Sequence, residues 1–326
     1  MHISVPSQKF LTIRPSIHPV SLRSPRSPTL RRSEAPCEPG DSTVEFRQLI
    51  SGTEHQAILE RRLTLIVQDL PDPVQARLKG FVSIGDNLKT ESCADVFAFA
   101  HPSKHGLILK IRDALAAPQE SDLRAEKAAT SWLHDKLSVP GMVCFHEEDN
   151  TQYLLMTRIA GVSGVHEDAR TDIPGLIRLF AHGLRDIHAV PVDSCPLDWR
   201  FERYFAWATD LIESGVLDGQ IPKGGTRNVL RDELASIRAD LPPEDVVFTH
   251  GDYCLPNIIL LNGHLSGYID WGYAGIGDRY LDFVAAYNTI RRNLGDEWVP
   301  LFFREYGQEL EQAKLSVYQR IHDFVD

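Results

Sequence analysis

The chain has almost nothing with which to cross-link itself. Its cysteines, Cys37, Cys93, Cys144, Cys195 and Cys254, are odd in number and scattered, with no Cys-x-x-Cys pair. That excludes a disulfide framework and a structural zinc site, and it sets the expectation of a reducing, cytoplasmic compartment. No apolar run approaches the length that spans a bilayer, and the first residues lack the continuous apolar core of a secretory signal. No segment repeats itself. Residues 1–33 hold no acidic side chain, against six basic ones (Lys9, Arg14, Arg23, Arg26, Arg31 and Arg32). Because the whole chain carries −11, the remainder carries −17. Such a negative body disfavours nucleic acid and suits a cationic small molecule.

Residues 1–40 are rich in Ser, Pro and Arg and have too little apolar surface to fold alone. They are expected to form a disordered basic extension, although Arg- and Ser-rich, acid-poor starts also occur in organelle transit peptides. The rest is ordinary globular material. With 326 residues, 43% hydrophobic and 24% charged, the chain suits one two-lobed unit or two domains.

What is present concentrates in Phe248-Thr-His-Gly-Asp-Tyr-Cys-Leu-Pro-Asn257 and Tyr268-Ile-Asp-Trp-Gly272. Residues 246–249 read as a buried strand entering a turn. Residues 258–261 and 265–269 are apolar runs joined at Asn262-Gly263, a strong hairpin signal. Such a hairpin folds Asp270 back beside Asn257, with Asp252 a few residues away. Hard oxygen ligands, too few to enclose a cation alone, suit Mg²⁺ that also takes phosphate oxygens. This is the layout of kinase-type phosphoryl transfer, in which one Asp addresses the hydroxyl while Asn and a second Asp hold metal.

These words resemble those of the aminoglycoside phosphotransferase family, relatives of the protein kinases, and of its 3′-phosphotransferase branch in particular. The likeness runs on through Gly275-Ile-Gly-Asp-Arg-Tyr-Leu-Asp282, Asn293-Leu-Gly-Asp-Glu-Trp298 and, upstream, Ile187-His-Ala-Val-Pro-Val-Asp-Ser-Cys-Pro196. It covers about residues 78–326. The resemblance implies an α+β, two-lobed protein-kinase-like fold. Its N-terminal lobe (41–158) would carry a small antiparallel sheet that binds nucleotide, and its C-terminal lobe (159–326) would be mainly helical. It further implies ATP or GTP as co-substrate, Asp252 as the catalytic carboxylate and Asn257 and Asp270 as magnesium ligands. His250 would then be structural rather than a base, and Asp282 a scaffold carboxylate for the backbone amides of the catalytic turn.

Residues 81–84, 94–99, 106–111 and 153–157 read as strands, and 119–137 as a helix. By resemblance, the loop 85–93 covers the phosphates through Ser92, although Cys93 stands where glycine is common. Lys110 would hold phosphates and Glu126 would fix Lys110, with Glu120 as a rival partner. Taken alone, the same two residues read as a solvated strand end and an ordinary helix glutamate. Backbone groups near Thr157 and Ile159 would bond adenine.

Helical patterns follow at 176–189, 201–214, 227–239, 281–293 and 310–325. Trp199, Tyr204 and Trp207 at helical spacing read as core, and Asp278 and Arg279 as a local ion pair. The departures from the family concern the acceptor. Tyr273 stands where relatives carry Arg, and Arg291-Arg292 where a helix often adds an acid. Asp218, Asp323 and Asp326 are the carboxylates left to meet a cationic substrate. The expected function is therefore O-phosphorylation of a small-molecule hydroxyl, foremost an aminoglycoside 3′-hydroxyl. A kinase of another amino-alcohol or sugar, or a non-catalytic nucleotide-binding module, are the alternatives.

Overall fold

The computed structural model describes residues 67–84, 94–113 and 122–325. The extension 1–40, Ser92, Glu120 and Asp326 lie outside the described residues. Helix α1 (Asp72–Leu78) leads into strands β1 (Val82–Ser83), β2 (Asp95–His101) and β3 (Lys104–Asp113). Helix α2 (Leu123–Leu133), β4 (Met142–Glu148) and β5 (Thr151–Thr157) follow. The strands form one antiparallel sheet in the order β1-β2-β3-β5-β4.

Strand alternation decides what the central strand β3 does. Leu107 and Leu109 point to one face, where they pack with Leu70, Val74 and Leu78 from around α1. Lys110, one residue on, must face the other side, where α2 lies. Helix α2 begins at Asp122, whose carboxylate caps Arg124 N at 2.7 Å. Its Ala129 and Leu133 belong to the core of the helical part, whereas Glu126 turns to Lys110. One short helix thus ties the sheet to the rest of the chain.

Beyond β6 (Val162–Ser163) come helices α3 (Ile173–His188), α4 (Phe201–Ser214) and α5 (Asn228–Asp240). Next are β7 (Val246–Thr249), β8 (Ile258–Leu261), β9 (His264–Tyr268) and β10 (Gly275–Asp278). Helices α6 (Tyr280–Asn293), α7 (Val299–Tyr306) and α8 (Gln312–Val325) complete the described chain. Helix α3 is capped by Asp172, which accepts from Gly175 N at 3.0 Å. Its buried stripe, Leu176, Ile177, Phe180, Ala181, Leu184 and Ile187, has helical spacing. Phe180 stacks on Tyr253 with ring centroids 4.5 Å apart, so the helix packs directly against the motif. A fully buried aromatic of this size contributes about 1.5–3 kcal/mol. No described helix is long and apolar enough to cross a membrane.

The expected hairpin is present, with β8 and β9 antiparallel and Asn262 and Gly263 at φ 51° and 75°. One expectation is corrected. Asp278 and Arg279 do not pair with each other. Asp278 accepts from Tyr280 N at 2.8 Å and meets Lys314 at 3.2 Å, while Arg279 Nη2 reaches Asp245 at 3.1 Å. Of the aromatic trio, Tyr204 is core, but Trp199 and Trp207 are only half-buried.

Candidate active site

The site is built on two turns that the strand pairings bring together. The first follows β7 and carries His250, Gly251 and Asp252. Gly251 sits at φ +82°, a conformation that favours glycine, and a Cβ there would meet Tyr273 O at 2.2 Å. Gly251→Ala is therefore expected to cost about 2 kcal/mol or more in stability, from the left-handed backbone and the collision together. Thermal unfolding checks this; an unchanged Tm would contradict the close packing of the turn.

The turn is held from behind by Asp282, which is fully buried on α6. Its carboxylate accepts from His250 N and Gly251 N, both at 2.8 Å, and from His188 Nε2 at 3.0 Å. Tyr306 OH then donates to His188 Nδ1 at 2.8 Å. His250, also fully buried, uses both ring nitrogens on the backbone. Its Nδ1 accepts from Asp252 N at 3.3 Å, so Nε2 carries the proton and donates to Ile269 O at 3.1 Å. This imidazole links the two turns and has no nitrogen left for a substrate proton.

The second turn follows β9. Ile269 N donates to Asn257 O at 2.9 Å, continuing the hairpin by one more bond, and the next residue is Asp270. Asp270 is held at φ +67°, uncommon for a residue other than glycine. Trp271 anchors it, fully buried, with Nε1 donating to Tyr268 O at 3.2 Å and its ring 4.3 Å from that of His250. The turn geometry spends backbone strain to aim one carboxylate.

Asp270 Oδ1 accepts from Lys110 Nζ at 2.8 Å. The same ammonium donates to Glu126 Oε1 at 2.8 Å and Oε2 at 2.7 Å. Lys110 and Glu126 are both buried. Burial works to lower the Lys110 pKa, but the Asp270 and Glu126 carboxylates more than offset it and hold it above the usual lysine range. Lys110 in turn holds Asp270 below the usual carboxylate range. The ammonium and Asp270 are therefore both ionised at neutral pH, while burial pushes Glu126 upward against the attraction of Lys110.

Asp252 is placed differently. Asn257 Nδ2 donates to its Oδ2 at 2.9 Å and to its backbone carbonyl at 3.0 Å. Burial pushes its pKa up, so this carboxylate is a better proton acceptor than one in water. Because the nitrogen of Asn257 is spent on Asp252, the amide oxygen is the end left for a cation. Asn257 oxygen and Asp270 make an oxygen-only donor set of two. Among the described residues no group of three or more His, Cys, Asp or Glu side chains gathers to hold a metal ion. The donors present fit a hard cation that takes its other ligands from phosphate and water.

The remaining expected residues are dispersed. Thr157 N donates to Gly141 O, and Arg158 N to Gly106 O, each at 2.8 Å. Asp218 is gripped by Arg227, whose Nε and Nη2 each lie 2.7 Å from its carboxylate. Asp323 is exposed and accepts from Gln319 at 2.7 Å. Arg291 is paired with Asp296 at 2.8 Å, and Arg292 is exposed. Sequence reasoning missed the Lys110–Asp270 contact and the support given by His188 and Tyr306 to Asp282. His188 ends α3 within the stretch 187–196 that shares the resemblance, but nothing there pointed to Asp282, 94 residues away.

A model of the family described as "Phosphotransferase enzyme family" matches residues 94–316. The aminoglycoside 3′-phosphotransferase of Niallia circulans is 35% identical over 206 residues, which is 62% of this chain and 78% of that one. The crystal structure of the aminoglycoside-3′-phosphotransferase of type VIII superposes with a TM-score of 0.65 at 21% identity, covering 77% of this chain and 96% of its own. That of APH(3'')-Id from Streptomyces rimosus, in complex with ADP and streptomycin, gives 0.57 at 24% identity, covering 82% and 98%. The fold is that of these kinase-like enzymes. With the family's pattern running through both turns and the strand that supplies Lys110, the chain belongs to the phosphotransferase enzyme family.

Proposed function

We propose that this enzyme transfers the terminal phosphoryl group of ATP to the 3′-hydroxyl of an aminoglycoside. The observation that carries the reading is the meeting of Asp252, Asn257 and Asp270 around one hairpin with Lys110 from β3, Asn257 N–H donating to Asp252 and Lys110 N–H to Asp270. The relative from Niallia circulans, named for that reaction, supports the choice of acceptor. The solved relative that holds ADP with streptomycin supports the pairing of nucleotide and aminoglycoside. ATP is taken as the donor, GTP being its nearest rival.

In this reading, Asp252 accepts a hydrogen bond from the acceptor hydroxyl and aims its oxygen at the γ-phosphorus. A bond forms between that oxygen and phosphorus, the bond to the β,γ-bridging oxygen breaks, ADP leaves, and the hydroxyl proton passes to Asp252. A carboxylate is a weak base for an alcohol, so orientation contributes more than deprotonation. Lys110, fixed by Glu126, binds the remaining phosphate oxygens and lowers the cost of charge gathering there. Asp270 and the Asn257 oxygen would hold a magnesium ion, which when bound neutralises phosphate charge. Ser92, on the loop 85–93, would add a phosphate contact. The N–H groups of Thr157 and Arg158 are already used, so adenine would meet the Ile159 N–H and backbone carbonyls near Thr157. Asp323 and Asp326 would meet substrate amines, whereas Asp218 would have to leave Arg227 first. Use of ATP and magnesium, together with scattered cysteines and no Cys-x-x-Cys pair, favours a cytoplasmic reaction.

A smaller amino-alcohol or sugar is the second reading, favoured by the capture of Asp218 by Arg227. ADP release measured with kanamycin, with tobramycin, which lacks the 3′-hydroxyl, and with small amino-alcohols separates the two. Release with kanamycin and none above background with tobramycin is expected. Equal release with both aminoglycosides would move the reaction to another hydroxyl. Release with an amino-alcohol alone would favour the second reading.

A further inference from the structure

The carboxylate that holds the catalytic turn is itself held by a chain of donors. Arg279, the residue before α6, is fixed by Asp245, whose Oδ1 lies 3.1 Å from Nη2. A guanidinium can only donate, and Arg279 Nη1 donates to Tyr306 OH at 3.0 Å. Tyr306 OH thus already accepts one bond and has a single proton to place. Burial pushes the Tyr306 pKa up, so that proton stays on at neutral pH. It goes to His188 Nδ1 at 2.8 Å. A neutral imidazole that accepts at Nδ1 carries its proton at Nε2, and Nε2 lies 3.0 Å from Asp282 Oδ2. The same oxygen accepts from His250 N, and Oδ1 accepts from Gly251 N. From Arg279 to Asp282 every bond runs in one direction, and the carboxylate closes the chain against the residues that precede Asp252. Packing alone does not call for the hydroxyl. Phe283 meets the Tyr306 ring edge to face at 4.8 Å, and Phe303 meets Phe283 at 5.2 Å, so a phenyl ring would fill the same space. A hydroxyl buried in such surroundings is costly unless it is bonded.

We propose that Tyr306 is a positioning residue for phosphoryl transfer: its hydroxyl, oriented by Arg279, fixes the tautomer and plane of His188, and through His188 and Asp282 it sets where the turn presents Asp252. The proposal rests on Asp252 being the carboxylate that takes the acceptor hydroxyl. Asp282 Oδ2 is shared between His188 Nε2 and His250 N, so a tilt of the imidazole moves the oxygen that His250 N follows. A carboxylate that mainly orients a hydroxyl is sensitive to a small displacement. Tyr306 lies two side chains behind the turn, so its effect falls on the aim of Asp252 and not on binding. Removing the hydroxyl leaves all three donors of Asp282 in place, which separates this role from the stability that Asp282 itself supplies.

The test compares wild type, Tyr306→Phe, His188→Gln and the double variant. Activity is read well below each melting temperature, with kanamycin, or with the amino-alcohol if that is the acceptor. Tyr306→Phe is expected to lower kcat about tenfold, with the KM values for ATP and acceptor within about twofold. In the His188→Gln background the same change is expected to lower kcat by less than about twofold, because the two residues act in one chain. Nitrogen-15 NMR of the histidine rings gives a readout that does not depend on turnover. The His188 signals, identified by their loss in His188→Gln, are expected to be those of a neutral ring protonated at Nε2 in wild type. In Tyr306→Phe the Nδ1 signal is expected to move to that of a nitrogen accepting no hydrogen bond, and the amide signals of His250 and Gly251 to shift with it. A doubly protonated His188 ring in wild type, a kcat unchanged in Tyr306→Phe, or losses that multiply in the double variant would each overturn the role of Tyr306 while leaving the phosphotransfer reading in place. A wild-type enzyme that phosphorylates no hydroxyl would overturn that reading and this inference with it.

Discussion

Asp252→Ala is expected to lower kcat for phosphoryl transfer by about 10²–10⁴-fold, the usual contribution of a positioned proton acceptor. Its affinity for ATP should change by less than about threefold, because in the proposed reaction the residue would act on the reacting hydroxyl and not on the bound nucleotide. The hydrogen bonds make this separation specific. Asp252 is tied to Asn257 Nδ2 at 2.9 Å, whereas the charged trio of Lys110, Glu126 and Asp270 closes on itself without it. Asp252→Asn is the companion variant, since it keeps the shape and removes the charge. Turnover and ATP binding measured on the same preparations check the prediction. Near-normal turnover in either variant would remove Asp252 from the reaction.

The largest effect on stability should come from Asp282→Ala. This carboxylate is fully buried and satisfies three donors: His250 N, Gly251 N and His188 Nε2. Alanine leaves all three without an acceptor in a closed space, each at about 1–3 kcal/mol. Partial relaxation reduces the sum, so a loss of about 3–5 kcal/mol is expected, comparable to breaking a buried ion pair. Asp282→Asn keeps one acceptor oxygen and should lose less. Urea unfolding provides the measurement, read as a lower midpoint at unchanged slope. A loss under about 1 kcal/mol would mean that the turn does not depend on this carboxylate. The two substitutions also differ in kind, since Asp252→Ala should leave the midpoint close to that of wild type.

Much of this site was legible because it is local in sequence. Asn262-Gly263 specifies the hairpin, the hairpin register places Ile269 opposite Asn257, and Asp270 follows. Lys110 was legible only through the resemblance, although strand alternation does turn it away from Leu107 and Leu109. The Glu126 partner was expected and is present, but that Lys110 would also reach Asp270 was not legible, because 160 residues separate the two and no local pattern relates them. Strand β10 was missed for a different reason. Gly275-Ile-Gly-Asp278 has little strand propensity, yet it pairs with β7, and Ile276 exchanges hydrogen bonds with Leu197 and Trp199. A Cβ on Gly275 would come within 2.8 Å of Trp199, so the glycine is there for close approach, and the strand is made by its neighbours. Strand β4 was missed because Met142–Glu148 pairs only along β5 and is largely exposed or half-buried, which leaves no clear alternation. The expected Asp278–Arg279 pair failed because adjacent residues at a strand end point to opposite sides. Asp278 turns inward to Lys314 and Arg279 turns to Asp245.

Asp252, Asn257, Asp270 and Lys110 are proposed to form one site for moving a phosphoryl group from ATP to a hydroxyl. Phosphorus NMR of the wild-type enzyme with ATP, magnesium and kanamycin tests it most directly. ADP and a new phosphomonoester are expected in equal amounts, with the phosphorus coupled to the proton on carbon 3′ and both products lost when magnesium is chelated. ADP accompanied only by inorganic phosphate, or a phosphomonoester that forms equally fast with Asp270→Asn, would contradict it.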